Sequence, residues 1–244
     1  MTSLTLLLRF TTLTQKKLYN NIIRMRLLEL FSGTGSVGNV FKEHGWDVVS
    51  LDRDMPADIS TDILDWDYKN SSYPPNYFDV IWASPPCTEY SIAKTKGVRN
   101  LELANSIVEQ TLAIIEYYDP HIYFLDNPQT GLLKHQPFMQ GLDYNDVDYC
   151  KYGMPYRKRT RLWNNCLPFA SKMCNRDCGA MDEAMRKHIQ VAQQSPTGAK
   201  AQWGDGHKFK RDELYMVPQA LVEEIMGAIN RELTVYNAIH RLIE

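Results

Sequence analysis

Apolar and polar positions alternate in blocks along the chain, and the blocks read in turn as strands and helices. "RLLEL" predicts a buried strand at Arg26–Leu30, and a glycine-rich turn, "FSGTGSVG", follows it directly. A helix to about His44 comes next, then a strand over 47–51 that ends in Asp52. "DVIWA" predicts a strand over 79–83. "NLELANSIVEQTLAIIEYY" carries apolar residues at Leu103, Ile107, Leu112, Ile115 and Tyr118, which predicts a long amphipathic helix. "HIYFLD" predicts another strand and "YNDVDYC" a weaker one. From Val217 the chain returns to helix, with Pro218 in its first turn and Leu221, Ile225 and Ile229 on one stripe. Strands alternating with helices predict an α/β fold on a mainly parallel sheet with both faces covered.

The period breaks down between 164 and 211, where cysteines, Gly, Pro and charges mix without order. That divides the chain into a core over 25–163, a small loop-rich subregion over 164–211, and C-terminal helices over 212–244 that return to the core. The first residues, 1–24, are basic, Thr-rich and free of acids, and are expected to form a disordered or loosely docked extension. A length of 244 residues suits one domain with a small appendage.

No apolar run is long enough to cross a membrane. Five cysteines, an odd number with no secretory signal, point to a reducing intracellular compartment and a soluble protein. The net charge of −2 hides an asymmetry. Acids predominate between 42 and 79 (Glu43, Asp47, Asp52, Asp54, Asp58, Asp62, Asp65, Asp67), whereas 151–176 holds seven Lys/Arg and no acid. One face is thus suited to a cationic or polar ligand and another to an anion.

Two stretches carry chemistry. In "LELFSGTGSVG", Gly33, Gly35 and Gly38 stand between a strand and a helix, where small residues let backbone approach a ligand and the helix start offers free N–H groups. Asp52, ending the next strand, is placed to accept hydrogen bonds from ribose hydroxyls. This spacing implies a nucleoside-containing ligand and does not separate NAD from S-adenosylmethionine. In "ASPPC", Cys87 follows Pro85 and Pro86 at the end of a predicted strand. Carboxyl ends of parallel strands are where ligands sit, and two prolines would fix the orientation of a thiol nucleophile.

"LELFSGTGSVG", "SPPC", "FLDNP" and "YGMPYRKRTR", in this order, are similar to the motifs of the cytosine-C5 DNA methyltransferases, most of all the small enzymes of iridoviruses and their phage-like relatives. The likeness runs over about 25–163 and resumes over 217–229. It implies a Rossmann-like class I S-adenosylmethionine-dependent methyltransferase fold, with 164–211 as a small target-recognition subregion. It also implies a mechanism: a thiolate adds to C6 of a flipped cytosine, C5 takes the methyl group, and the ring recovers by losing its C5 proton.

On this resemblance Cys87 is the nucleophile, with Pro86 beside it. Asp126 stands in the family's glutamate position near N3, its carboxyl about 1.5 Å shorter. Arg161 is expected at cytosine O2 and Arg159 as support for the catalytic loop, with Tyr156 in the family's glutamine position and one residue inserted before the Arg pair. Phe31, Ser32, Gly33, Thr34, Gly35, Asp52, Arg53, Asp62, Ile63 and Pro85 are expected to hold S-adenosylmethionine, with Asp62 toward the adenine amino group. The family's late Gly-Asn segment is not recognisable before Val217. Lys94, Lys96 and Arg99, on a loop with Gly97, and Arg157 and Lys158 are expected to meet DNA phosphates.

The implied partner is double-stranded DNA, read at a short site such as CpG by a monomer. A viral origin would place the protein in the nucleus or cytoplasm of an infected cell. An RNA cytosine-C5 methyltransferase and a catalytically silent DNA-binding homologue are the alternatives. An exocyclic-amino methyltransferase would need an aromatic residue where Cys87 stands. Cys166, Cys174 and Cys178, with His188 or Cys150, have the elements for zinc but lack a paired C-x-x-C, so free structural thiols are the expected state. His44, His121 and His240 read as ordinary helix or strand histidines.

Overall fold

The structure, a computed structural model, describes residues 24–166, 169–182, 184, 186–192 and 209–243. The extension assigned to 1–24 lies, apart from Arg24, outside the described residues. Seven strands form one sheet: β1 (Arg26–Leu30), β2 (Asp47–Asp52), β3 (Ile59–Ser60), β4 (Val80–Ala83), β5 (Ile122–Pro128), β6 (Tyr144–Asp148) and β7 (Arg159–Asn164). Their order is β3-β2-β1-β4-β5-β7-β6. The first five in that row are parallel, and β7 lies antiparallel between β5 and β6. A separate two-stranded ribbon, β8 (Met181–Asp182) with β9 (Lys187–His188), belongs to the loop-rich subregion.

The central strands alternate between two covered faces, as period-two geometry requires. Leu27, Val80, Trp82, Ile122, Phe124 and Leu162 point to a cluster shared with α1 (Gly38–Glu43) and α4 (Gln219–Ile243). Leu28, Leu30, Ile81, Ala83, Leu125 and Trp163 point to the opposite cluster, closed by α2 (Leu101–Tyr118). Leu221, Ile225 and Ile229 are fully buried on α4 as their stripe predicts. On α2 the predicted stripe holds at Ile107, Leu112, Ile115 and Tyr118, which are buried in or packed against the cluster this helix closes, and departs from it at Leu103. Leu103 is 48% exposed, and the buried face runs through Ala104, Val108, Thr111, Ile115 and Tyr118. Thr111 tolerates that face because its Oγ1 donates to the Ile107 carbonyl at 2.8 Å.

The sequence reading contained no strand at 159–164. Its two-residue alternation is masked by charge: Thr160, Leu162 and Asn164 are buried, while Arg159 and Arg161 point the other way into carboxylates. Because β7 runs antiparallel, its first residues lie at the same sheet edge as the carboxyl ends of β1, β2, β4 and β5. Pro128 pairs with Thr160, and Asp148 with Arg159. The short helix α3 (Arg211–Tyr215) precedes α4 at that edge. No described helix is long and apolar enough to cross a membrane.

Candidate active site

A pocket of about 510 Å³ opens along the carboxyl edge of the parallel strands and runs without a break from the glycine turn to Cys87. Its volume is in the range of small-molecule sites. Phe31, Ser32, Gly33, Thr34, Asp52, Arg53, Asp62, Ile63, Pro85, Pro86, Cys87 and Asp126 all line it. Gly35 shapes the turn from outside the lining.

The turn is held in an unusual backbone. Phe31, Gly33 and Gly35 all have positive φ, at 59°, 52° and 70°. For Phe31, a bulky residue, this conformation costs about 1–2 kcal/mol, and backbone strain of this kind gathers at ligand sites. Asp52 fixes the turn from the next strand: Oδ2 accepts from the Gly33 N–H at 2.8 Å, and Oδ1 from the Asp54 and Met55 N–H groups at 2.8 and 2.9 Å. Arg53 pairs with Asp62 at 3.0 Å and with Asp54 at 2.9 Å along the rim. Asp62 is therefore already engaged by a guanidinium in this conformation.

Glu29 was missed by sequence reasoning. It interrupts the apolar run of β1, is 3% exposed, and lines the pocket beneath the start of α1. Burial pushes its carboxyl up to about 7, against backbone hydrogen bonds from Gly38 and Val37 that favour the ionised form. A Cβ at Gly38 would stand 2.3 Å from Glu29 Oε2, so this position requires glycine for space. The raised value makes a prediction with a definite sign. The unfolded chain ionises Glu29 near 4.5 and the fold near 7, so this group's contribution to stability falls as pH rises through that window. The loss reaches about 3 kcal/mol above the window. Urea denaturation of Glu29→Gln at pH 4 and 8 is expected to lack that slope, gaining on the wild type by about that amount at the higher pH. Equal slopes in the two proteins would refute the assignment.

Beside the turn, where the Ser84 N–H donates to the Leu30 carbonyl at 3.2 Å, the "SPPC" and "DNP" segments lock together. Asn127 Nδ2 donates to the Pro85 carbonyl at 3.0 Å. Ser84 Oγ donates to Asp126 Oδ1, and Trp82 Nε1 donates to the same oxygen at 3.2 Å. Both donors converge on Oδ1, which leaves Oδ2 available to a ligand. Burial raises the Asp126 carboxyl, with the bond from Ser84, the charge of Lys158 and the bond from Trp82 opposing it. Burial likewise pushes the Cys87 thiol up; Lys158 pulls it down and Asp126 adds to the rise.

The placement of the basic residues differs from the sequence expectation. Arg159 Nη2 lies 3.0 Å from Asp148, and Arg161 Nε lies 2.8 Å from Asp146 with its guanidinium 3.5 Å over the Tyr144 ring. Neither Arg lines the pocket. Strand alternation instead turns Lys158, expected on a DNA-binding surface, into the pocket wall. There its Nζ donates to the Leu214 carbonyl at 2.8 Å, and burial lowers its pKa while Asp126 and Cys87 raise it. Arg157 is held by Asp148 at 3.1 Å. On the loop after Cys87, Lys94 pairs with Glu89 at 2.6 Å and Arg99 donates to the Glu89 and Lys94 carbonyls, so only Lys96 of the three projects as an exposed cation.

Near the position of the family's late Gly-Asn segment, Asp212, Tyr215 and Val217 line the pocket, and the Val217 N–H donates to Ser36 Oγ at 3.0 Å. Tyr156 is fully buried, its hydroxyl donating to the Glu213 carbonyl at 3.4 Å. Of the cysteines proposed as metal ligands, Cys166 belongs to the core cluster packed with α4, whereas Cys150, Cys174, Cys178 and His188 converge elsewhere.

A sheet in this strand order, with one antiparallel strand and a pocket across the edge of β1, β2, β4 and β5, defines a Rossmann-like methyltransferase fold. Over 222 residues, 83% of this chain and 99% of the relative, the sequence is 31% identical to a probable DNA (cytosine-5)-methyltransferase of Frog virus 3 (isolate Goorha). The chain belongs to the DNA (cytosine-5)-methyltransferase family. A solved mutant of Spodoptera frugiperda DNMT2 aligns over 61% of this chain and 53% of that one, at 17% identity and a TM-score of 0.36. No protein-family model matches the chain.

Proposed function

We propose that the protein methylates C5 of cytosine in double-stranded DNA, using S-adenosylmethionine and a covalent bond from Cys87 to C6 of a base flipped out of the duplex. The observation that carries this reading is the single cavity shared by the glycine turn and Cys87. The pocket fits the cofactor. Ser32 Oγ is buried in its wall without a partner among the described residues, a free donor and acceptor for a polar ligand. Val37, Leu51 and Ile63 supply apolar surface, and Glu29 and Asp52 supply acids for a cationic ligand carrying ribose. When bound, S-adenosylmethionine supplies an electrophilic methyl group on a sulfonium centre.

The chain's own residues divide the rest of the work. Cys87 adds to C6 as its proton leaves to solvent, and the Asp126 carboxyl gives a proton to N3. That transfer needs Asp126 protonated before attack, which its burial favours. Lys158, the cation in the pocket wall beside Cys87 and Asp126, stabilises the thiolate and takes the place at O2 that the family motif gives to an arginine. After methyl transfer a solvent water takes the C5 proton, the C–H electrons form the C5–C6 double bond as the C6–S bond breaks and releases the Cys87 thiolate, and Asp126 recovers its proton from N3. The strand end and the Asn127 bond hold the prolines so that the sulfur keeps one direction throughout.

The test is covalent trapping on DNA containing 5-fluorocytosine, with isotope-labelled cofactor and an RNA of the same sequence in parallel. A denaturant-stable adduct is expected on DNA, absent in Cys87→Ala and formed on the order of 10²-fold more slowly in Lys158→Met. An adduct on RNA alone would transfer the activity to RNA. No adduct despite bound cofactor would make the protein a silent binder.

A further inference from the structure

Away from the pocket, four side chains with the chemistry of metal ligands meet at one point. Cys150 stands on the 3-10 turn Tyr149–Tyr152 that follows β6, Cys174 and Cys178 flank a tight turn, and His188 ends β9. Their ligand atoms all lie within 4.8 Å of one another. We propose that Cys150, Cys174, Cys178 and His188 form a structural zinc site that fastens the loop-rich subregion to the end of β6.

The distances match the ion. Zinc–sulfur bonds of about 2.3 Å and zinc–nitrogen bonds of about 2.0 Å at tetrahedral angles place sulfur and nitrogen about 3.5 Å apart. His188 Nε2 lies 3.6 Å from Cys174 Sγ and 3.3 Å from Cys178 Sγ. Three sulfurs and one imidazole are a closed donor set that leaves no position for water, as in structural rather than catalytic zinc sites. A disulfide would consume two of the thiols and leave the third beside the imidazole without a function; all five cysteines are free.

The surroundings serve the same end. The turn between Cys174 and Cys178 is sharpened by Arg176 at φ 66°, and the Asn175 N–H donates to Asp177 at 3.1 Å. Lys151, next to Cys150, pairs with Asp177, next to Cys178, at 3.0 Å and ties the two ligand segments together. The Cys174 N–H donates to the buried Asp148 carboxylate at 2.8 Å. Three thiolates on one Zn²⁺ leave one net negative charge, and Lys151 stands beside it.

The subregion also needs an anchor. Among the described residues of 175–192 none is fully buried, so this stretch has almost no core of its own. Its ribbon pairs only two residues with two, and segments of this size are commonly held by a metal or disulfides. Binding is a ligand exchange without redox change: three thiol protons pass to solvent as three zinc–sulfur bonds form, the imidazole nitrogen donating its lone pair.

The experiment is zinc analysis of the full chain purified from zinc-supplied cells without chelators. One zinc per chain is expected, falling to background in the Cys174→Ser/Cys178→Ser double variant and unchanged in Cys166→Ala and Cys87→Ala. Cobalt(II) exchanged into the wild type is expected to give the intense visible bands and sulfur-to-metal charge transfer of tetrahedral thiolate coordination. This spectrum does not depend on any variant folding. Native alkylation is expected to spare Cys150, Cys174 and Cys178 until a chelator is added. Folded wild type without stoichiometric zinc, full zinc in the double variant, or a disulfide between any two of these three cysteines would overturn the proposal. None of these outcomes bears on 5-fluorocytosine trapping, so the two readings stand or fall separately.

Discussion

Cys87→Ala is expected to lower methyl transfer by on the order of 10⁴-fold or more while leaving the affinity for S-adenosylhomocysteine unchanged. The size follows from the chemistry proposed for the site. Without a bond to C6, C5 of cytosine has too little electron density to attack a methyl group, and among the described residues lining the pocket Cys87 is the one thiol, with the Ser84 hydroxyl tied to Asp126. The unchanged affinity follows from what is removed: alanine takes away one sulfur and leaves the turn at Phe31–Gly35 and its bond from Asp52 in place. Transfer of labelled methyl groups to DNA, with isothermal titration of the product cofactor, measures both. A variant retaining more than about a tenth of wild-type activity would sink the covalent mechanism.

Asp148→Ala is expected to destabilise the fold by about 3–5 kcal/mol in urea denaturation. Asp148 is fully buried and receives Arg157 Nε and Arg159 Nε at 3.1 Å, Arg159 Nη2 at 3.0 Å, and the Cys174 N–H at 2.8 Å. Removing the carboxylate strands two guanidinium groups and a buried amide at once. The effect is larger than for the pairs at the surface because both Arg side chains keep only part of their hydration. A loss below about 1 kcal/mol would show that water replaces the carboxylate with ease.

Much of the sheet was legible because its strands are apolar and bounded by Gly, Pro and Asp. Arg26–Leu30 agrees with the strand predicted there, and "DVIWA" and "HIYFLD" fall on β4 and β5. The antiparallel β7 was hidden because "RKRTR" reads as a phosphate-binding run, and only its pairing with β5 and β6 shows that alternate residues point apart. The same run put Lys158 on a DNA surface and Arg161 at the base in the sequence reading, whereas Lys158 lines the pocket and Arg161 pairs with Asp146. Glu29 is visible as an acid inside an apolar strand, but its burial depends on the close approach of Gly38, which local sequence does not state. The meeting of Cys150 with His188 depends on the path of the intervening chain, and no local spacing rule reaches that far.

The alternation in β7 makes the chemistry of the cavity sensitive to length rather than identity. An insertion or deletion of one residue in the turn around Gly153 that slips β7 by one position against β5 and β6 would swap the ammonium for a guanidinium and send the inward methyl and isobutyl groups of Thr160 and Leu162 toward the carboxylates of β6. Chains that differ by one position of register here would therefore present different cations to the same cavity without a substitution at either.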